Sequence, residues 1–262
     1  KVKNITSVLE HFAPLSYQEN YDNCGLLVGS PEDEVTGVLI SLDCIEEIID
    51  EAIATNCNMV VSHHPIVFSG LKKFNGKNYI ERTIIKAIKN NIILYALHTN
   101  LDNVNNGVSF KMAEKMGLKN CKILAPKAGL LSKIITYCPL DKATEVRDAM
   151  FSAGAGTIGS YDACSFSSQG VGTYRAKAGA NPYLGTVGEL HQENELKIEV
   201  IVPNNAVNNV VKKMIETHPY EEVAYDVLAL SNNNTTVGSG VIGELVTEED
   251  ELEFLKRTKM PM

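Results

Sequence analysis

VVSHHPIVF, residues 60–68, sets two adjacent histidines at the end of an apolar run, and Pro65 stops whatever precedes them. Residues 59–62 read as a strand that runs straight into His63. Working towards the N-terminus, VTGVLISL (35–42) is β-branched and apolar and reads as a buried strand. Asp43 follows it, and its place predicts a helix cap with Glu46 as partner three residues on. Ile45, Ile48, Ile49, Ala52 and Ile53 then share one helical face. Working towards the C-terminus, residues 66–78 hold Gly70, Gly76 and the Lys72-Lys73 pair and read as a loop. A helix follows, with Ile80, Ile84, Ala87 and Ile88 on one face. IILYAL (92–97) is a third strand and ends in His98. Asn105-Asn106-Gly107 opens another helix that runs to about Met116.

Strands alternating with helices predict an α/β layer with a parallel sheet. Right-handed crossovers place the C-terminal ends of parallel strands on one edge, and functional groups gather there. His63 and His64 leave one strand end; His98 and Asp102, from HTNLD, leave the next. Successive strand residues point to opposite faces, so both His63 and His64 serve one site only if the chain turns. Pro65 favours such a turn by fixing its own φ and restricting His64.

Residues 126–231 read differently. LSKIITYCP is a strand, DKATEVRDAMFSAG a helix started by Asp141, and ELKIEVIVP a second strand. Val207, Val210, Val211, Met214 and Ile215 form a helical face, and EEVAYDVLAL is a last strand. Two strand–helix–strand units with hairpins between them predict a ferredoxin-like α+β domain. Ser231 to Thr236 reads as a polar linker. A short strand (237–245) and a capped helix (247–258) follow.

The 262 residues allow two domains, and a hydrophobic fraction of 44% is that of a globular protein. A net charge of −8 argues against a general nucleic-acid surface. No apolar run approaches the roughly 20 residues that span a bilayer, and the N-terminal KVKNITSVLEHF is too interrupted for a signal peptide. Six scattered cysteines without a CxxC pair read as reduced thiols, which suits a cytoplasmic location.

Two imidazoles, a carboxylate and open positions suit Zn, Mn or Fe, and a shared carboxylate can bridge two such ions. Asp102 fits that part; as a helix cap or turn former it would have none. His98 reads as a supporting group that donates to a carboxylate or bound water, or as a satisfied core histidine. His218 could join Glu221 or Glu222 as a ligand set, although its place favours a structural or interface role. His11 and His191 have no supporting context. GVGTYRAKAGANPYLGTVGE (170–189) could bind an anion through Arg175 and Lys177, but it lacks P-loop spacing and context and reads first as a loop-rich hairpin.

Taken together, YDNCGLLVG, SLDCIEEIIDEAI, VVSHHPIVF and ALHTNLDNVNNGVS resemble, in order and spacing, the Nif-three-like dinuclear-metal proteins, the GTP cyclohydrolase 1 type 2 homologues. The resemblance covers residues 1–125. Residues 126–231, with GTYRAKAGANPYLG and HPYEEVAYDV, are similar to the PII/CutA-like insertion of longer members. It implies a Nif-three-like parallel or mixed sheet with an inserted ferredoxin-like domain. It implies His63, His64 and Asp102 as metal ligands, with His98 close by, two divalent ions per complete subunit and a ring-shaped homohexamer. The family completes its site with a His and a Glu near the C-terminus. No histidine follows Leu245, so the expectation is that 232–262 only begins the second half of the α/β domain. The implied function is metal-dependent hydrolysis of a nucleotide-like anionic small molecule; the alternative is a non-catalytic metal-binding or regulatory oligomer.

Overall fold

The structure, a computed structural model, describes residues 1–259. The chain divides into two compact units: Lys1–Ala125 together with the chain from Thr236 on, and Pro126–Thr235.

The first unit is built on a four-stranded sheet. In chain order it contains α1 (Val2–Phe12), β1 (Gly25–Val28), β2 (Val38–Ser41), α2 (Glu46–Ala54), β3 (Met59–Ser62), α3 (Tyr79–Lys89), β4 (Ile93–Ala96), α4 (Thr99–Asn103) and α5 (Val108–Lys115). The strand order is β1-β4-β3-β2. The expected parallel core is present: β2 pairs β3 from Val38↔Met59 to Ser41↔Ser62, and β3 pairs β4 from Met59↔Ile93 to Ser62↔Ala96. β1 joins antiparallel to β4, which makes the sheet mixed.

β3 and β4 are buried along their whole length, so both faces are covered. Side-chain alternation divides them. Val60 and Leu94 pack with Ile49 and Ala52 of α2 and Ile84 and Ala87 of α3. Met59, Val61, Ile93 and Tyr95 pack on the other side with Val2, Ile5 and Leu9 of α1. A layer of helix lies on each face of the sheet.

Several elements depart from the sequence reading. VTGVLISL is not buried: β2 is the edge strand, and Ile40 is 80% exposed because only β3 flanks it. Asp43 does not cap α2; Ile45 holds the N-cap position without a side-chain bond. LKNCKILAPKA is a strand, β5 (Leu118–Ala128), paired with β10 (Asn233–Leu245). Residues 233–236 of the expected linker therefore belong to a strand, which begins four residues before the expected 237. The last helix, α8 (Glu251–Thr258), starts at Asp250, whose carboxylate accepts from the N–H groups of Leu252 and Glu253.

In the second unit, β6 (Leu131–Pro139), α6 (Ala143–Ser152), β7 (Ser165–Arg175), β8 (Leu190–Pro203), α7 (Val207–Thr217) and β9 (Tyr225–Leu230) form an antiparallel sheet in the order β7-β8-β6-β9. That order, with α6 and α7 as the two crossovers, is the ferredoxin-like arrangement. Alternation sends Ile134, Cys138, Ile198, Val200 and Val202 to a core shared with Val146, Met150, Val210 and Met214 of the helices. Asp141 lies outside α6, whose N-cap is Lys142. Among the described residues no helix is long and apolar enough to cross a membrane.

Gly107 sits where α4 turns into α5, and a Cβ there would collide with the Leu101 carbonyl and come within 2.9 Å of Val104. Gly107→Ala is expected to lower stability by about 1–3 kcal/mol, the usual cost of overpacking, read as a fall in the urea midpoint; an unchanged midpoint would show that this turn is not packed as described.

Candidate metal centre

The sheet delivers the histidines. Beyond β3, His63 N–H donates to Ser41 O (3.1 Å) and His64 N–H to Leu42 O (2.9 Å), so the ladder continues through both residues. The chain then turns at Pro65, and Ser62 Oγ donates to His64 O at 2.9 Å. This turn brings two adjacent side chains to one place: the rings of His63 and His64 lie 5.0 Å apart, centre to centre. Beyond β4, Leu97 N–H donates to Ser62 O (2.9 Å), which sets His98 beside them. The His98 ring is 5.3 Å from that of His63 and 5.6 Å from that of His64. One ring nitrogen from each of the three lies within 4.8 Å of the others.

Asp102 follows His98 by one turn of α4, its N–H donating to His98 O at 3.2 Å. Its Oδ1 stands 3.7 Å from His63 Nε2. The structure thus brings together all four residues singled out in the sequence. His98 enters the cluster itself, and Asp102 borders it. Asn100 and Asn103 fasten α4 underneath: Asn100 donates to Ala13 O (2.7 Å), and Asn103 to Tyr17 O and Glu19 Oε1 (both 2.9 Å).

Each imidazole is held by its Nδ1. That of His63 lies 2.8 Å from Leu97 O, that of His64 2.7 Å from Asp43 Oδ1, and that of His98 2.8 Å from Asp22 Oδ1. A carbonyl oxygen and ionised carboxylates only accept, so each Nδ1 carries the proton. In the neutral ring Nε2 is then a bare lone pair. Metal-binding histidines are commonly held this way, because the outer acceptor fixes the tautomer and raises the basicity of the inner nitrogen.

Asp22 is the hub of this support. Its side chain is fully buried, and its oxygens accept from His98 Nδ1, Thr99 N (3.0 Å), Thr99 Oγ1, Asn23 N (2.7 Å) and the Cys24 thiol (3.2 Å). Burial pushes its pKa up, but the bonds from His98, Thr99, Asn23 and Cys24 outweigh it and hold the carboxyl well below the usual range. Burial also pushes the Cys24 thiol up to about 11, so it stays protonated and donates rather than ligating. With three carboxylates around the imidazoles, the site favours a cation. A cavity of about 540 Å³ opens beside it, lined by Tyr21, Asp102, Ser109 and Ser239 among others.

His218 lies elsewhere, in the second unit. Its Nε2 donates to Tyr137 O (2.9 Å) and its Nδ1 accepts from Tyr220 N–H (3.1 Å), so neither nitrogen is left for a metal. Burial pushes its pKa down and keeps it neutral. It is a structural residue; neither Glu221 nor Glu222 bonds it.

The sequence reading did not find Asp22 and Asp43 as parts of the site. Asp43 follows β2 on the edge where His63 and His98 follow β3 and β4. Asp22 precedes β1, which runs antiparallel, so the start of β1 lies on that same edge.

Fold and site together define an α/β protein with a carboxylate-supported histidine cluster at the edge of a mixed sheet. The chain belongs to the Duf34/NIF3 (NGG1p interacting factor 3) family, whose pattern matches residues 1–262. A protein of Halalkalibacterium halodurans named GTP cyclohydrolase 1 type 2 homolog is 40% identical over 258 residues, 98% of this chain and 69% of that protein. Its namesake from Bacillus subtilis is 37% identical over 253 residues, 96% of this chain and 68% of the other. The crystal structure of a Bacillus cereus protein related to NIF3 matches with a TM-score of 0.86 at 40% identity, covering 98% of this chain and 69% of that one.

Asp22→Ala strands Thr99 N–H, Asn23 N–H and His98 Nδ1–H without their acceptor. The expected loss is about 1–3 kcal/mol, the cost of leaving buried donors unpaired, measured by urea unfolding at neutral pH. A loss below about 0.5 kcal/mol, the range of ordinary surface changes, would contradict the role of Asp22 as hub.

Proposed function

We propose that this chain is a divalent-metal protein whose ion is held by Nε2 of His63, His64 and His98, with Asp102 as the adjoining carboxylate. The observation that carries the reading is the set of three Nδ1 contacts, to Leu97 O, Asp43 and Asp22, which leaves three inward nitrogens as bare donors. This moves His98 from the supporting part suggested by its sequence context to that of a ligand. Imidazoles with one carboxylate suit Zn, Mn or Fe, and four donors suffice for one tetrahedral ion. Two ions per complete subunit, as the family resemblance implies, need donors beyond these four.

Such an ion, when bound, supplies an acidified water and stabilises negative charge on a substrate. The chain itself fixes the donors: Asp22 and Asp43 orient two rings, the Leu97 carbonyl orients the third, and α4 sets Asp102 against His63. We extend the reading to hydrolysis of a nucleotide-like anionic small molecule, the direction in which the relatives' name points, within the cavity beside Asp102. A second reading is a non-catalytic metal-binding or regulatory protein; a separate cavity of about 740 Å³ within the second unit favours it. Self-association into a hexamer rests on the family resemblance alone, and a cytoplasmic setting suits the six free thiols.

Metal analysis after dialysis against zinc or manganese is expected to give about one ion per chain from four donors, falling to near zero in His63→Ala and in His64→Ala. Asp43→Asn should weaken the ion about 10- to 100-fold, as loss of an outer partner does. Full occupancy in both histidine variants would overturn the ligand set. Turnover of GTP by the loaded protein, lost in the same variants, selects the hydrolase reading over the regulatory one.

A further inference from the structure

The second unit has one sheet face turned away from its helices. On it, β8 places Glu195, Lys197 and Glu199, and β6 places Tyr137 opposite Lys197. The cavity of about 740 Å³ lies on this face, within the size range of small-molecule sites. Four tyrosines stand in its walls, Tyr137, Tyr174, Tyr183 and Tyr220, beside the charged Arg175 and Lys177. The rings of Tyr174 and Tyr183 stand 5.9 and 6.3 Å from that of Tyr220, inclined to it by 64° and 53°. Rings set at such angles make the sides of a box rather than a slot for a flat ring.

Glu195 lies within this box at 8% exposure. Its Oε1 accepts from the Tyr220 hydroxyl at 2.8 Å. Its Oε2 reaches across Gly172, where any Cβ would collide with it. Among the described residues no donor bonds Oε2, and no Lys, Arg or His forms an ion pair with Glu195. Of the cations that line the cavity, Lys197 is paired and Arg175 and Lys177 stand farther along the chain. The Lys197 ammonium is 3.3 Å from Glu199. Arg175 lies three residues along β7 from Gly172, over which Oε2 reaches, about 10 Å of strand, and Lys177 is farther still. Burial pushes the hydroxyl pKa values of Tyr220 and Tyr174 up, and the Glu195 charge adds to the rise in both. A buried, uncompensated carboxylate is costly unless a cation meets it.

We propose that this cavity binds an organic ammonium ligand, with Glu195 as its counter-ion and Tyr174, Tyr183 and Tyr220 as the aromatic wall. Aromatic faces and a carboxylate both attract an alkylated ammonium, and the box shape fits its rounded head. The site is distinct from the histidine cluster, so the proposal stands whether or not that cluster binds metal.

The test is calorimetric titration of the full chain with choline, with its neutral isostere 3,3-dimethylbutan-1-ol, and with ATP as the anionic probe. Choline is expected to bind saturably and at least about tenfold more tightly than the isostere, since only the charge differs. Glu195→Gln keeps an acceptor for Tyr220 and removes the charge; it should weaken choline at least about tenfold without lowering the melting temperature of the free chain. Tyr183→Ala, at a half-exposed rim position, is the second variant and should weaken choline severalfold without a folding defect. His63→Ala should leave choline binding intact. The proposal is overturned if choline gives no saturable heat up to about 10 mM, tenfold beyond a millimolar affinity. It is equally overturned if the isostere binds as well as choline, if ATP binds in place of choline, or if both cavity variants bind choline like the parent.

Discussion

Everything at the candidate site depends on one constraint: β2, β3 and β4 are parallel, so their C-terminal ends share an edge. Asp43, the His63-His64 pair and His98 each follow one of these strands within two residues. The ladder does not stop at the last strand residue. Backbone bonds from His63, His64 and Leu97 carry it onward, so the histidines inherit the rigidity of the sheet before their side chains make any contact. The strands in turn are held from both faces by α1 on one side and α2 and α3 on the other. Placing the donors on so rigid a frame limits the reorganisation needed when a cation arrives.

The second level of order is the outer ring of acceptors. Three imidazoles packed at 5.0–5.6 Å between ring centres would repel if protonated. The Leu97 carbonyl, Asp43 and Asp22 each accept from one Nδ1–H and so fix the orientation of the three rings. Asp22 couples this ring to the fold because it also binds the start of α4 through Thr99. The helix that carries Asp102 and the histidine that precedes it are thus fixed by one buried carboxylate.

The strand–helix alternation and the gathering of His63, His64, His98 and Asp102 were legible in the sequence because both follow from strand order and handedness. The carboxylates behind the histidines were not. An aspartate after a strand reads as a helix cap, and Asp43 fits that pattern locally; only its neighbour across the sheet gives it another use. Asp22 precedes a four-residue strand whose direction is set by pairing with β4, and nothing within GLLV encodes that choice. The exposure of β2 follows likewise from its edge position, while its apolar residues suggested a buried one. β5 was missed because its partner, β10, lies more than a hundred residues away and its own sequence is rich in lysine. In the second unit the helical and strand periodicities sufficed for the ferredoxin-like order, whereas the buried Glu195 shows only when β7 and β8 are paired.

X-ray absorption at the zinc edge of the zinc-loaded chain tests the central claim most directly, because it reads the donor atoms themselves. The account predicts a nitrogen and oxygen shell at about 2.0–2.1 Å with the outer-shell scattering of three imidazoles. A sulfur shell at about 2.3 Å, which would bring in a thiol such as Cys24, or a shell of oxygens with fewer than two imidazoles, would contradict it.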